Sequence, residues 1–94
     1  MSYNNLGLLY RATQRFADSE QMYNSALEIL KRLAGPKPLA YEPDLAASYN
    51  NLGVLYRTTQ RFTDSEQMYN SALEIRIFAA ELETIEAGNT SFQN

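Results

Sequence analysis

The chain has 94 residues, enough for one small domain, and its 45% apolar content is sufficient for a core. It carries a net charge of −3 and neither Cys nor His, which removes disulfides, thiolate chemistry and the commonest general base and zinc ligand. No basic stripe points to nucleic acid, and no run approaches the roughly 18 apolar residues of a membrane span.

The first residues, Met1-Ser2-Tyr3-Asn4-Asn5, have neither the basic region nor the apolar centre of a signal peptide. A cytoplasmic location is the expectation. Tyr3, Leu6, Gly7 and Tyr10 then fall at i, i+3, i+4 and i+7, the spacing of one helical face. A helical glycine costs about 1 kcal/mol against alanine, so Gly7 implies a close neighbouring helix. Thr13-Gln14-Arg15 reads as a turn, and its shortness makes the flanking helices antiparallel.

A second helix carries Phe16, Ser19, Tyr23, Ala26, Leu27 and Leu30 at helical spacing, and Gly35-Pro36 stops it. Pro36, Pro38 and Pro43 predict a loop over residues 35–43, with Pro43 in the first turn of a third helix and Asp44 at its positive end. That helix presents Tyr49, Leu52, Gly53 and Tyr56. The fourth is predicted as one long helix from about Thr63 to Ala87, ended by Gly88, with a loose tail over 88–94. Its stripe is Ile75, Phe78, Ala79, Leu82 and Ile85. Thr63 with Glu66 three residues on matches a capping box, whereas the first copy has Ala17. The earlier helix is therefore expected to fray more at its start.

These elements repeat. Residues 2–29 and 48–75 agree at 25 of 28 positions, differing only at Leu8/Val54, Ala12/Thr58 and Ala17/Thr63. The register resembles the tetratricopeptide repeat, a helix–turn–helix unit. Tyr3, Leu6, Gly7 and Tyr10 stand at its first-helix signature positions, and Phe16, Ser19, Tyr23 and Ala26 at those of the turn and second helix. The second copy matches at Tyr49, Leu52, Gly53, Tyr56, Phe62, Ser65, Tyr69 and Ala72. Gln14 and Gln60 replace the usual turn glycine, and Ser opens the second helix where Ala is commoner. The period is 46 residues, against about 34 in the family, as in the longer-period branch that includes kinesin light chain repeats. The resemblance implies an all-α superhelix of antiparallel helix pairs, with about four helices and the last extended. Repeat 1 spans about 2–34, the connector 35–43, repeat 2 about 44–77, a helical extension 78–87 and the tail 88–94.

The resemblance also implies a protein–protein interaction scaffold that receives a peptide or helix in a concave groove lined by each first helix. The positions carried over are Asn4, Asn5, Leu8 and Arg11, with Ala12 beside them, and Asn50, Asn51, Val54 and Arg57, with Thr58. An amide both donates and accepts, so Asn5 and Asn51 can pair with any peptide unit. Arg11 and Arg57 can clamp a carboxylate. A solvated face or a helix–helix contact explains the same residues without a ligand.

Two repeats are fewer than the roughly three that such arrays need. The chain is expected to be part of a longer array with apolar ends, or to form a homo-oligomer through Phe78, Leu82 and Ile85. The alternative function is therefore self-assembly by oligomerisation or domain swapping, without a peptide ligand. No enzyme, cofactor or metal site is expected, since the sequence pattern sets no basic or metal-binding constellation around the helical acids, and Glu83 and Glu86 at i, i+3 read as a solvated helix face. Asn89-Thr90-Ser91 matches a glycosylation sequon only at the level of chance.

Overall fold

The computed structural model describes residues 2–92, with side chains as far as residue 88. Four helices follow one another: α1 (Tyr3–Ala12), α2 (Phe16–Ala34), α3 (Pro38–Thr58) and α4 (Phe62–Phe92). Each packs on the next, α1 on α2, α2 on α3 and α3 on α4. The layered row is elongated, 55 × 28 × 17 Å.

The two glycines explain how the helices of each pair come so close. A Cβ at Gly7 would stand 2.6 Å from the Tyr23 ring, and one at Gly53 would stand 2.7 Å from the Tyr69 ring. Beside each contact the second helix donates to the first: Ser19 Oγ to the Gly7 carbonyl and Ser65 Oγ to the Gly53 carbonyl, both at 2.7 Å and buried. Serine here is more than a small residue, because its hydroxyl is satisfied by a carbonyl on the facing helix.

The core lies between the repeats. Tyr23 and Leu27 of α2 meet Leu52, Leu55 and Tyr56 of α3, with Phe16, Leu45, Tyr49 and Met68 at the margin. Tyr23 and Leu52 are each 1% exposed.

Both intra-repeat turns end in the same way. Gln14 and Gln60 adopt φ of 63° and 62°, the left-handed conformation that closes a helix. The next residue, Arg15 or Arg61, donates its backbone N–H to Tyr10 or Tyr56 at 2.7 Å, while the glutamine N–H bonds Arg11 or Arg57 at 3.1 Å. This is a Schellman closure. The apolar contact that usually accompanies it is replaced by the arginine's guanidinium over the tyrosine ring, at 4.3 Å for Arg15 on Tyr10 and 4.2 Å for Arg61 on Tyr56.

Three expectations about helix ends are corrected. The loop predicted over 35–43 shrinks to 35–37: Pro38 takes the start of α3, and Pro43 lies inside that helix. A proline at the first position suits a helix, and Pro38 and Leu45 border a pocket of about 110 Å³ with Ala34, Ile75, Phe78 and Ala79. The early start therefore places Pro38 on the rim of that apolar pocket. Gly88 does not end α4, which runs to Phe92. No glycine takes a positive φ among the described residues, so the left-handed stop is not made. The remainder of the predicted tail, 93–94, lies outside the described residues, as do all side chains of 89–94.

The capping box is also absent. Arg15 is the N-cap of α2 and makes no side-chain cap. Arg61 stands in the same place before α4, its carbonyl accepting from Ser65 as Arg15 accepts from Ser19, each at 2.9 Å. Thr63 is thus already inside its helix. Both starts are held instead by an arginine–aspartate pair, Arg15 to Asp18 and Arg61 to Asp64, each with Nε donating at 2.9 Å.

Candidate protein-interaction surface

α1 and α3 are the first helices of the two pairs. Since each runs against α2, they are parallel, and one face of each remains outside the pair packing. Asn4 is half-buried on α1, and its Nδ2 reaches Ser48 Oγ of α3 at 3.5 Å. Its Oδ1 is buried with no hydrogen-bond partner. Asn4 thus lies between the helices rather than on an open face.

Asn5 is exposed on α1, its backbone N–H capped by Ser2 Oγ at 3.1 Å. Asn51, at the matching place on α3, is half-buried. Neither side-chain amide makes a hydrogen bond to a described residue. Leu8 is 49% exposed, and Val54 is half-buried.

Arg11 is half-buried with its Nε unpartnered, whereas Arg57 is exposed. Burial pushes the Tyr23 phenol above its ordinary pKa, with the positive charge of Arg11 pulling the other way. Asn50 borders a shallow depression of about 140 Å³ with Tyr69, Ala72, Leu73 and Arg76. The eight residues therefore form no single cluster: Asn5, Leu8 and Arg57 are exposed, while Asn4 and Arg11 turn inward.

The proposed self-association residues lie along the second half of α4. Phe78 and Ile85 are 51% and 58% exposed, and Leu82 is half-buried. Phe78 borders the pocket beside α3, whereas Ile85 shares a shallow apolar surface with Ile77, Ala80 and Thr84.

Sequence reasoning missed a polar junction between the repeats. The Tyr56 hydroxyl donates to Glu20 Oε2 at 2.7 Å. Arg61 Nη1 donates to both oxygens of the same carboxylate, at 3.0 and 3.1 Å. Burial first, and then the hydrogen bond to Glu20, push the Tyr56 pKa up to about 12. The signal was present in the repeat: Tyr, Arg and Glu recur at fixed places in both copies. Without the stacking geometry, nothing linked Glu20 of one copy to Tyr56 of the other.

Among the described residues no helix is long and apolar enough to cross a membrane. Among the described residues no group of three acidic side chains is placed to hold a metal ion. A family model described as "Tetratricopeptide repeat" matches residues 1–77. No curated protein and no solved structure matches the chain.

Proposed function

The chain belongs to the tetratricopeptide repeat family, and on that footing we propose that it is a scaffold receiving a peptide or helix of a protein partner across α1 and α3. The repeats over about 2–34 and 44–77 are the units that form the surface. Asn5 and Asn51 are its main-chain readers, the exposed Arg57 meets acidic groups, and Leu8 and Val54 give apolar contact with Asn50 beside them, while Asn4 and Arg11 turn inward behind that surface. The observation supporting this reading is the pair of side-chain amides, Asn5 and Asn51, at equivalent places on parallel helices and without an internal hydrogen bond. Such amides have unused donors and acceptors for a peptide unit. The reading assigns the chain no catalysis and a cytoplasmic location. A peptide library tested against the wild type and the Asn5→Ala/Asn51→Ala variant checks it. Binding by the wild type that is lost in the variant supports the reading, and unchanged binding overturns it.

A second reading is self-assembly through the repeat ends, by stacking or domain swapping. The exposed Leu9, Phe62, Leu73, Phe78 and Ile85 favour it, because apolar ends of a repeat row are stable only when covered. If Phe78, Leu82 and Ile85 form that contact, Phe78→Glu abolishes association in sedimentation. An unchanged mass distribution removes these three residues from the reading.

A further inference from the structure

Inside the molecule, α2 of the first repeat meets α3 of the second through Leu27, Leu55 and the Glu20–Tyr56–Arg61 junction. The near-identity of residues 2–29 and 48–75 gives each of these residues a counterpart of the same type on an outer face. On α4, Leu73 corresponds to Leu27 and Glu66 to Glu20. On α1 and its turn, Leu9, Tyr10 and Arg15 correspond to Leu55, Tyr56 and Arg61. Exposure shows what each outer position lacks. Leu27 is 6% exposed and Leu73 56%; Leu55 is 2% exposed and Leu9 48%.

The two outer faces are complementary in charge and partly preformed. Arg15 already lies over the Tyr10 ring and is held by Asp18, the posture that Arg61 has over Tyr56 beside Asp64. Glu66 is exposed and accepts no hydrogen bond from a described residue. One end of the molecule thus carries a tyrosine hydroxyl and a guanidinium at the places of Tyr56 and Arg61, and the other carries the carboxylate that such donors hold at the internal junction.

We propose that copies of this chain dock head to tail, α4 of one against α1 of the next, with Glu66 accepting from Tyr10 and Arg15 as Glu20 accepts from Tyr56 and Arg61. The proposal rests on the self-assembly reading and specifies its partner and its surface. The two faces differ, so the contact is heterologous and adds copies in an open row.

Leu9→Asp blocks one face and Leu73→Asp the other, each at a half-exposed position, and circular dichroism confirms that each variant folds. In sedimentation from micromolar to millimolar concentration, the wild type gives a mass that grows with concentration. Each variant alone stays monomeric, because every contact needs one face of each kind. Mixed, the two variants form a one-to-one dimer and nothing larger. Glu66→Gln weakens wild-type association about tenfold, the worth of a charge-assisted hydrogen bond. A wild type that is monomeric throughout overturns both the proposal and the self-assembly reading. A wild type that associates while Leu9→Asp alone still does so overturns the proposal and leaves that reading standing through another face.

Discussion

Tyr56 and Glu20, 36 residues apart, join the two repeats by a 2.7 Å hydrogen bond at the edge of the core. Tyr56 is 7% exposed, so its hydroxyl has little water to turn to if the partner is lost. Tyr56→Phe is expected to destabilise the fold by about 1–2 kcal/mol. Tyr10→Phe, whose hydroxyl has no such acceptor among the described residues, is expected to stay within about 0.5 kcal/mol. Urea unfolding of the two variants checks the difference.

The same bond makes stability depend on alkaline pH. The Tyr56 pKa is raised from 10.0 to about 12 in the folded chain. The folded state therefore holds this proton more tightly than the unfolded state. The contribution is fully present below pH 10 and is lost as pH rises through about 12. The gap in unfolding free energy between wild type and Tyr56→Phe should be constant below pH 10 and shrink above it. A constant gap to the top of that range would contradict the assignment.

Gly7 and Gly53 separate close packing from helix propensity. Alanine gains about 1 kcal/mol as a helix former, but its Cβ at Gly7 meets the Tyr23 ring at 2.6 Å. Tyr23 is 1% exposed and cannot swing away. Gly7→Ala should cost about 2 kcal/mol net. Tyr69 is half-buried on the outer face, so Gly53→Ala should cost less than half as much. Thermal unfolding of the two variants gives the ordering.

Much of the fold was legible because the sequence states it twice. The stripe of Tyr3, Leu6, Gly7 and Tyr10 and its copy set the helix faces, and Gly7 implied the close approach that Tyr23 makes. The ends were less legible. Pro43 looked like a first-turn residue, but α3 begins at Pro38 and carries Pro43 inside it, so the Leu39 carbonyl loses its helical donor, a cost set against the apolar surroundings that Pro38 shares with Ala34, Ile75 and Phe78. Thr63 and Glu66 had the spacing of a cap, but the left-handed Gln60 brings Arg61 to that place two residues earlier. For the candidate surface, the pattern identified which helices share a face. It did not reveal that Asn4 is drawn inward toward Ser48, because that depends on how far α1 stands from α3.

The corrected cap position removes the expected difference in fraying. With Thr63 at the second helical position, Thr63→Ala should cost less than about 0.5 kcal/mol, rather than the roughly 1 kcal/mol of a lost cap. Amide exchange at Asp18 and Asp64 should be alike, since the same arginine pair holds both helix starts. Much faster exchange at Asp18 would restore a role for Thr63.

Gln14 and Gln60 supply the final test, because each spends energy on a conformation that glycine adopts freely. At φ of 63° and 62° a residue with a Cβ pays about 1 kcal/mol or somewhat more. Glycine removes that cost and returns part of it as extra freedom in the unfolded chain. Neither glutamine side chain makes a hydrogen bond to a described residue that the change would lose. The backbone bonds that close each turn come from main-chain N–H groups and survive the substitution. Gln14→Gly and Gln60→Gly should each stabilise the chain by about 0.5 kcal/mol. The sites lie in separate turns with no shared partner, so the double variant should gain close to the sum. Chemical denaturation of the single and double variants measures both points, and a loss of stability in either single variant would show that the left-handed turn is not strained.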